Sequence, residues 1–285
     1  MSQCGKFYFF LTLYIKGIPL IAKPMYTDPM KKYAFWASPI DSAQAAKKKL
    51  TGIYGAAPIE DADVMIVLGG DGSMLEAMHE TLPYDKPIYG LNYGSVGFLM
   101  NPAKEDDFEK LGERLAQAKQ EEIHPLRMTT TDKEGNVCEA MAFNEVSLFR
   151  EQRHAAKMKV FVNGDEHISE LVCDGALVST AAGSTAYNFS AGGPILPLGA
   201  NLLALTPISA FRPRRWKGAL LPQDVEIDIE MIESHHRPVS ATADFREFRN
   251  VVKVSVRQSQ GIRKILLFDP DHALGDRILR EQFVI

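Results

Sequence analysis

The stretch DVMIVLGGDGS at residues 63–73 decides how the N-terminal part of this chain folds. Its first residues, 63–68, form a continuous apolar run, which is typical of a parallel strand that is covered on both faces. A glycine-rich loop follows at residues 69–73, and residues 73–82 have the hydrophobic spacing of a helix. A buried strand that passes through glycines into a helix predicts an α/β domain.

Strand and helix patterns alternate on both sides of this stretch. Upstream, residues 33–37 (YAFWA) predict a strand and residues 41–54 predict a helix. Downstream, residues 87–91 predict another short strand and residues 106–118 another helix. This alternation predicts an open, mostly parallel α/β sheet.

The hydrophobic period changes after about Glu122. Apolar and polar residues then alternate in three segments, 157–162, 225–231 and 252–257, the last of which puts Val252, Val254 and Val256 on one face. The first segment leads directly into Asn163-Gly164, which is a strong hairpin-turn signal. Strands with one polar face predict an antiparallel sheet that is half solvated.

These patterns divide the chain into four parts. Residues 1–29 form an extension outside the fold or a mis-assigned start, and residues 30–100 form the α/β domain with the GGDGS loop. Residues 101–258 form a larger antiparallel domain that is similar to a β-sandwich. The C-terminal segment, 259–285, has a helical pattern over 272–283, which we expect to pack back on the first domain. The fold class is therefore α/β followed by a β-rich domain.

The N-terminus requires a separate interpretation. Residues 7–15 (FYFFLTLYI) form an apolar run behind Lys6 that is similar to the core of a signal peptide. However, Lys16 interrupts the run, no A-x-A cleavage site follows, and the run is too short to span a membrane. Met30 begins MKKYAFWASP, whose pattern predicts the first buried strand of a domain. We therefore expect the fold to begin at Met30.

The composition excludes several classes of protein. Of 285 residues, 46% are hydrophobic and 24% are charged, values that are typical of a globular protein and not of a disordered chain. A net charge of −4 argues against nucleic-acid binding and against a polybasic membrane surface. Cys4, Cys138 and Cys173 show no CxxC pair and no zinc-site spacing, which suits a reduced, cytoplasmic compartment.

Glycine is concentrated in two windows, 69–97 and 175–199, which hold 11 of the 21 glycines. Tight turns alone are one explanation, and close approach of the backbone to a ligand is the other. In the first window the GGDGS loop enters a helix N-terminus, where free N–H groups favour a phosphate. The loop is neither a P-loop nor a Rossmann fingerprint. Asp71 is electrostatically unfavourable in such a loop, which indicates a role such as holding Mg²⁺ or accepting a proton, unless it only caps the helix.

The second window is rich in side chains that can read a base. Residues 174–194 contain the hydroxyls of Ser179, Thr180, Ser184, Thr185 and Ser190, together with Asn188 and Tyr187. Hydroxyl and amide groups can bind base edges, and a tyrosine ring can stack on a base. Between the windows, Asn144 and Glu145 are polar positions in an apolar strand. They could hold ribose hydroxyls, although a surface strand would also explain them.

Taken together, these segments resemble the NAD kinase family, in its bacterial form. The matching residues are 69–73, 90–99, Asn144-Glu145 and 174–194, and the resemblance covers about residues 30–285. The GGDGS loop is shared with phosphofructokinases and, in a close form, with diacylglycerol and sphingosine kinases, whereas the GSTAY and SAGGP segments are more specific. Two departures from the family pattern are visible. Ser73 replaces the usual Thr, and Ala181-Ala182 replaces the usual Pro-Thr, which removes one hydroxyl.

The resemblance implies an activity and a set of site residues. The γ-phosphoryl group of ATP would be transferred to the 2′-hydroxyl of the adenosine ribose of NAD, giving NADP, with Asp71 as the proton acceptor. The phosphate loop would consist of Gly69, Gly70, Gly72 and Ser73. The NAD-binding residues would be Asp71, Gly72, Asn144, Glu145, Asp174, Thr185, Ala186, Tyr187, Asn188, Ser190 and Asp244. Of these, Asn144 and Glu145 would hold the adenosine part, Asp174 the nicotinamide side, and residues 185–190 the adenine.

The resemblance also implies cofactors and partners. The family depends on Mg²⁺ or another divalent cation, here with no metal site fixed by the protein alone, and its members are usually homodimers or homotetramers. We expect no nucleic-acid partner and no membrane partner. Polyphosphate as an alternative donor, NADH as an acceptor, feedback by NADP and the number of subunits all stay open.

Three rival functions are disfavoured by particular residues. A phosphofructokinase would carry a glycine-rich ATP loop near its first strand, which residues 37–40 do not offer, and a lipid kinase leaves residues 174–194 unexplained. A non-catalytic NAD or NADP sensor would gain nothing from Asp71 at an anion site.

The basic stretch 212–217 either contacts donor phosphates or polyphosphate, or forms a solvated or subunit-interface loop.

Overall fold

The computed structural model of the chain describes residues 13–15, 18–20, 31–95 and 97–283. Near the N-terminus, Leu13–Ile15 and Ile18–Leu20 pair as an antiparallel hairpin. Most of the extension predicted at residues 1–29 lies outside the described residues, and its assignment stays a prediction. The fold described below is that of the unit Lys32–Ile285.

The strands are numbered in chain order. They are β1 (Leu13–Ile15), β2 (Ile18–Leu20), β3 (Tyr33–Ala37), β4 (Val64–Gly69), β5 (Ile88–Asn92), β6 (Asn101–Pro102), β7 (Lys119–Ile123), β8 (Leu126–Asp132), β9 (Val137–Ala142), β10 (Glu145–Arg150), β11 (Ala156–Val162), β12 (Asp165–Cys173), β13 (Gly175–Ser179), β14 (Leu202–Ile208), β15 (Ala219–Pro222), β16 (Glu226–Met231), β17 (Val239–Ala243), β18 (Arg246–Phe248), β19 (Val251–Gln258) and β20 (Lys264–Phe268).

The helices are short and few. They are α1 (Asp41–Tyr54), α2 (Asp71–Glu80), α3 (Leu111–Gln117), α4 (Tyr187–Ser190) and α5 (Leu274–Glu281), with 3₁₀ turns at Glu105–Lys110, Ala182–Thr185, Leu198–Ala200 and Pro270–His272. Within the described residues, none of these helices has the length and apolar character needed to cross a membrane.

The first sheet has the strand order β3-β4-β5-β20-β7, with β6 paired to β5. Strands β3, β4, β5 and β20 are parallel, and only β7 runs antiparallel to its neighbour β20. Every residue of β4 is buried, because one face of the strand packs against α1 and the other against α2. The predicted mostly parallel α/β sheet is confirmed.

The two helices that flank β4 differ in how well the sequence predicted them. Helix α1 has the predicted bounds and buries Ala43, Ala46 and Leu50. Helix α2 begins at Asp71, two residues before the predicted start at Ser73, because the carbonyl of Gly70 already accepts a hydrogen bond from the backbone N–H of Met74 at 3.0 Å. The site residue Asp71 therefore lies in the first turn of the helix.

The helix predicted over 106–118 is divided in two. A 3₁₀ turn covers Glu105–Lys110, and regular α-helix is confined to Leu111–Gln117. The division follows from the backbone of Asp107, whose φ of −112° is not helical.

Residues 126–258 form two antiparallel sheets that pack face to face. One has the order β15-β14-β13-β10-β17-β18 and is called the site-side sheet below, and the other has the order β12-β11-β16-β19-β8-β9. Leu148 and Val178 from the site-side sheet share one core cluster with Met158 and Val254 from the opposite sheet. The predicted β-sandwich-like domain is confirmed.

Two local strand predictions have different outcomes. Asn163 and Gly164 connect β11 to β12 with φ values of 52° and 87°, as the hairpin signal predicted. In β19, Val254 and Val256 are buried as predicted, but Val251 is buried in place of Val252. The reason is an irregularity in the pairing with β8 between Val251 and Lys253, which changes which side chains face the core at the start of the strand.

The chain returns to the first sheet at its C-terminal end. Strand β20 lies between β5 and β7, and α5 buries Leu274 and Ile278 in the same apolar cluster as Met74 and Met78 of α2. Residues 101–123, which the sequence assigned to the β-rich part, contribute β6 and β7 to the first sheet. The boundary between the first sheet and the β-sandwich therefore lies between Ile123 and Leu126 in the chain, because β7 still pairs with β20 of the first sheet.

Candidate active site

The GGDGS loop connects the buried strand β4 to helix α2. Gly69 ends the strand, Gly70 precedes the helix, and Gly72 and Ser73 lie in its first turn. A Cβ on Gly69 would lie 2.3 Å from the Ser73 hydroxyl oxygen, so only glycine fits there, whereas nothing lies within 4 Å of a Cβ on Gly72. The first N–H groups of a helix have no partner within the helix, which makes this open turn suitable for a phosphate.

A second loop lies directly against the first. The backbone N–H of Tyr93 donates to the carbonyl of Gly69 at 2.7 Å, and a Cβ on Gly94 would lie 3.1 Å from the Cα of Gly70. The contact arises because the carboxyl ends of the parallel strands β4 and β5 meet at one edge of the sheet. The two glycine-rich loops therefore form one surface.

The carboxylate of Asp71 is held by the turn at residues 97–100. Its two oxygens accept hydrogen bonds from the backbone N–H groups of Phe98 and Leu99, each at 2.6 Å. Gly97 enters this turn with φ +72°, and a Cβ there would lie 2.3 Å from the side chain of Asn92. The carboxylate is thus fixed in orientation, while each oxygen keeps a further lone pair for another donor.

Arg277 of helix α5 braces the same turn from the other side. Its guanidinium donates to the carbonyls of Gly97 and Met100, both at 2.7 Å, and lies 5.3 Å from the ring centroid of Phe98. Burial lowers the pKa of Arg277, and the negative charge of Asp71 acts in the opposite direction. Sequence reasoning missed this residue, because the only signal was one arginine in an amphipathic helix.

Asn144 and Glu145 lie at the start of β10. The Glu145 side chain is buried, and its Oε2 has no hydrogen-bond partner among the described residues. Burial raises the pKa of Glu145 to about 7, and the nearby charge of Asp244 adds to the effect. Buried polar atoms in proteins normally have partners, so an unpaired carboxyl oxygen is the type of group that a ligand hydroxyl satisfies.

Asp244 lies beneath this segment, with no exposed side-chain surface. Its carboxylate accepts hydrogen bonds from the backbone N–H groups of Phe143 at 2.7 Å, Asn144 at 2.9 Å and Glu145 at 3.4 Å. The sequence resemblance placed Asp244 among the NAD-binding residues. In the structure its oxygens hold the protein segment that carries Asn144 and Glu145.

His79 completes the surroundings of Asp244 and was missed by the sequence analysis. Its Nε2 lies 2.8 Å from an Asp244 carboxylate oxygen, and its ring packs edge-on against Phe143 and Phe245. His79 is in the last turn of α2, about 12 Å along the helix from Asp71. Helix α2 is therefore tied at one end to the turn around Asp71 and at the other to the Asn144-Glu145 segment.

The hydroxyl-rich loop packs on Asn144. A Cβ on Gly183 would lie 2.2 Å from the carbonyl oxygen of Asn144, and the Thr180 hydroxyl donates to the carbonyl of Phe143 at 2.7 Å. Ala182, where the family pattern has a hydroxyl, is buried in the apolar cluster that contains Phe143 and Met78. The missing hydroxyl thus belongs to a packed interior position.

Residues 185–190 are divided between the surface and the interior of this loop. Thr185 and Ala186 are half-buried, Tyr187 and Ser190 are exposed, and Asn188 is fully buried. Burial raises the pKa of Tyr187, with the charges of Glu145 and Asp174 adding to the effect. Tyr187 is therefore only partly exposed, and it lies near enough to two predicted site carboxyls to feel their charge.

The Asn188 amide binds its own loop. It donates to the carbonyls of Ser184 at 3.2 Å and Pro194 at 2.8 Å, and it accepts from the Thr206 hydroxyl at 2.7 Å. Gly193 must be glycine, because a Cβ there would lie 2.1 Å from the Asn188 amide oxygen. Asn188 therefore shapes the loop that Tyr187 and its neighbours present.

Asp174 lies apart from the other predicted site residues. It precedes β13, at the end of the site-side sheet opposite to Glu145, and the length of β10 separates the backbones of the two residues by about 16 Å. Its carboxylate, about one-third exposed, accepts a hydrogen bond from Arg150 at 2.5 Å. Only an elongated ligand could contact both Glu145 and Asp174.

A cleft of 1060 Å³ elsewhere on the surface contains none of the predicted site residues. It lies between the ends of the two sandwich sheets, with Arg127, Gln223 and Arg257 in its lining. The candidate site is therefore the open surface formed by the two glycine-rich loops, the start of β10 and the hydroxyl-rich loop.

The fold and the site together define a class of protein. A carboxylate on a glycine-rich loop at a helix N-terminus, followed by a β-sandwich with a buried carboxyl and a hydroxyl-rich loop, is the arrangement of a phosphotransferase that acts on an alcohol group. Residues 20–123 match the model of the ATP-NAD kinase N-terminal domain, and residues 143–265 match that of the ATP-NAD kinase C-terminal domain. The chain belongs to the NAD kinase family.

Curated relatives match almost the whole of this chain. The NAD kinase of Rhizobium meliloti strain 1021 is 53% identical over 250 residues, which are 88% of this chain and 96% of that one. The NAD kinase of Xanthomonas campestris pv. campestris strain 8004 is 48% identical over 256 residues, which are 90% of this chain and 99% of that one.

Two solved structures share the fold. Yeast NADH kinase in complex with NADH superimposes with a TM-score of 0.77 at 19% identity, covering 90% of this chain and 89% of that one. An NAD kinase from Archaeoglobus fulgidus in complex with ATP superimposes with a TM-score of 0.71 at 21% identity, covering 87% and 98%. At these identities the likeness supports the architecture described above.

Proposed function

We propose that this protein is an NAD kinase that transfers the γ-phosphoryl group of ATP to the 2′-hydroxyl of the adenosine ribose of NAD, giving NADP. One observation carries the proposal beyond family membership. The helix that presents Asp71 and the phosphate loop is tied through His79 and Asp244 to the segment that bears Glu145. A phosphate-binding turn and a ribose-binding carboxyl are thereby held in one fixed relation.

Asp71 acts as the general base of this reaction. The bond between the γ-phosphorus and the bridging oxygen of ATP breaks, the ribose 2′-oxygen bonds to that phosphorus, and the hydroxyl proton passes to the Asp71 carboxylate. A ribose hydroxyl is a weak acid, so its proton leaves late, and transfer depends mainly on alignment and charge stabilisation. The lone pairs that the 97–100 turn leaves free on the carboxylate are available for this proton.

The dinucleotide binds along the site-side sheet. Asn144 and Glu145 hold ribose hydroxyls, which would give the buried Glu145 Oε2 its missing partner. Tyr187, with the exposed groups of residues 185–190, binds the adenine, and Asp174 binds the nicotinamide side. Asn188 and Asp244 support this surface from within, as their buried hydrogen bonds indicate.

Mg²⁺ or another divalent cation accompanies ATP. Among the residues that the structure describes, no group of three or more His, Cys, Asp or Glu side chains could hold a metal ion. Asp71 is the one carboxylate of the GGDGS loop, and the phosphate oxygens of ATP would supply most of the ligands of such a cation. When bound, the cation neutralises charge that develops on the phosphates.

The protein forms a homodimer or homotetramer and works in the cytoplasm. Phe149 and Phe211 are 43% and 55% exposed, and aromatic side chains of this kind are enriched in the buried centres of subunit contacts. Cys138 and Cys173 are unpaired thiols, which suits a reducing compartment. Light scattering of the purified protein measures the number of subunits.

An NADP-formation assay tests the proposed activity. The purified protein is incubated with Mg²⁺ and each pairing of ATP or polyphosphate with NAD or NADH, and the 2′-phosphorylated product is measured. NADP formed from ATP and NAD supports the proposal. If NAD binds but no donor gives a product, the protein is a dinucleotide sensor. If neither NAD nor NADH binds while ATP is consumed with a lipid or sugar, the acceptor assignment is wrong.

A further inference from the structure

The turn at residues 97–100 has two layers of support. On its inner side, the N–H groups of Phe98 and Leu99 bind the Asp71 carboxylate. On its outer side, the carbonyls of Gly97 and Met100 accept from Arg277. Because the same four residues carry both sets of hydrogen bonds, the position of the guanidinium determines where the two N–H groups point.

We propose that Arg277 is a positioning residue for phosphoryl transfer, which holds the 97–100 turn so that its N–H groups orient the Asp71 carboxylate toward the acceptor hydroxyl. This inference rests on the proposed role of Asp71 as the base. Arg277 acts through the turn, and the proposal assigns it no contact with substrate.

Arginine suits this role for geometric reasons. Two nitrogens of one planar guanidinium reach two carbonyls at 2.7 Å, while its central carbon lies 5.3 Å from the ring centroid of Phe98. A lysine has a single ammonium group and cannot reproduce the two-pronged fork. The conformation of the turn is therefore specified by the shape of the guanidinium as well as by its charge.

The guanidinium is itself held rigidly. Leu274 and Ile278, on either side of Arg277 in α5, are fully buried in the cluster that also contains Met74 and Met78 of α2. Helix α5 thus shares a packed apolar cluster with the helix that bears Asp71. A partly buried cation whose hydrogen bonds go to neutral carbonyls is unfavourable unless a negative charge lies nearby, and Asp71 provides that charge.

Four variants test the proposal: Arg277→Met, Arg277→Lys, Asp71→Asn, and Arg280→Met as a matched control on the exposed side of the same helix. We expect Arg277→Met to lower kcat about 10- to 100-fold, as misplacement of a catalytic group does. The KM values for NAD and ATP should stay within about threefold of wild type, because the lost interaction acts only in the transition state. Arg280→Met should leave kcat unchanged.

Arg277→Lys keeps the test valid if the Met variant does not fold. It retains the cation and most of the stem, so we expect a wild-type circular dichroism spectrum together with a lowered kcat. Added guanidinium at low, non-denaturing concentration should restore part of the kcat of Arg277→Met. An unchanged kcat in a folded Arg277→Lys, or a raised KM with unchanged kcat in either variant, would overturn the proposal.

The variant Asp71→Asn separates this proposal from the one on which it rests. If Arg277 acts through Asp71, adding Arg277→Met to Asp71→Asn should lower the residual kcat by less than about twofold. A full second loss would show that Arg277 acts independently and would refute the positioning role. Near-normal kcat in Asp71→Asn alone would instead refute the base assignment.

Discussion

Asp71 is surrounded by features that usually favour an anion from outside the protein. It lies at the N-terminus of α2, and two backbone N–H groups at 2.6 Å point to its carboxylate. A group that only capped the helix would bind N–H groups of its own first turn, whereas Asp71 binds a turn from another part of the chain. Asp71 therefore does more than cap α2, because it also fixes the 97–100 turn against this helix.

Replacing Asp71 by asparagine tests its proposed role as the base. Asparagine keeps the size and one acceptor oxygen, so we expect Asp71→Asn to fold and to retain much of its NAD binding. Turnover should fall by about 10²- to 10⁴-fold, because general base catalysis contributes that much. Steady-state NADP formation and NAD binding by calorimetry measure the two effects. A variant with near-normal kcat would contradict the role of Asp71 as base.

Glu145 gives the stability of the free protein a pH dependence. Its pKa is raised from 4.5 to about 7, chiefly by burial. Between pH 4.5 and about 7, the Glu145 carboxyl is protonated in the folded protein and ionised in the unfolded chain. Its contribution to the free energy of unfolding is therefore lost as the pH rises toward and through 7. Above pH 7 a buried carboxylate is ionised without a hydrogen-bond partner on Oε2.

The substitution Glu145→Gln should remove this dependence, since glutamine stays neutral. Between pH 5 and pH 8, the Tm of the variant should rise by about 3–6 °C relative to that of wild type. A change of one or two kcal/mol in the free energy of unfolding shifts the Tm of a chain of this size by roughly that amount. Scanning calorimetry of both proteins without ligand across this range measures the difference. A constant difference in Tm at all pH values would contradict the raised pKa.

At the scale of elements, α2 joins two parts of the site. Its first residue is Asp71, and near its other end His79 contacts the Asp244 carboxylate that orders residues 143–145. One rigid helix of 10 residues thus sets the distance between the proposed base and the proposed ribose-binding segment. The precision of the site depends on both attachments of this helix.

Breaking the second attachment should therefore affect catalysis at a distance. We expect His79→Leu to lower kcat/KM for NAD about 10- to 100-fold, because small shifts of reacting groups have effects of that size. His79→Gln, which keeps a polar group toward Asp244, should lose less, and Glu80→Gln on the exposed side of the helix should match wild type. Steady-state kinetics of the three variants measure this order. Equal values for His79→Leu and Glu80→Gln would show that the attachment has no catalytic role.

At the scale of the whole molecule, a contact can be predicted from the sequence when the two residues that form it are close together in the chain. The unit formed by β4, the GGDGS loop and α2 is predictable because its signals are adjacent in the chain. The attachment of His79 to Asp244 joins residues 165 positions apart, and that of Arg277 to Gly97 joins residues 180 apart. The sequence shows that the residues around 188 are rich in hydrogen-bonding side chains. It does not show that the Asn188 amide binds carbonyls of its own loop.

A further long-range contact involves the first sheet and the segment that follows β20. The Asp269 carboxylate accepts hydrogen bonds from Tyr89 and from Arg114, both at 2.6 Å, and its backbone N–H donates to Asn101 at 2.8 Å. The side chains of Arg114 and Asp269 are only 13% and 12% exposed. This buried network connects the segment after β20 to β5, β6 and α3.

Loss of the Asp269 charge should therefore destabilise the whole molecule. Asp269→Asn preserves the shape but leaves a buried guanidinium without its counter-ion, which costs about 3 kcal/mol. Urea denaturation should show a lower midpoint than for Asp107→Asn, the matched change in the exposed pair with Lys110. Adding Arg114→Met to Asp269→Asn should recover part of the loss, because no unpaired buried charge then remains. Equal midpoints for the two single variants, or a double variant less stable than Asp269→Asn, would show that packing and not charge holds this junction.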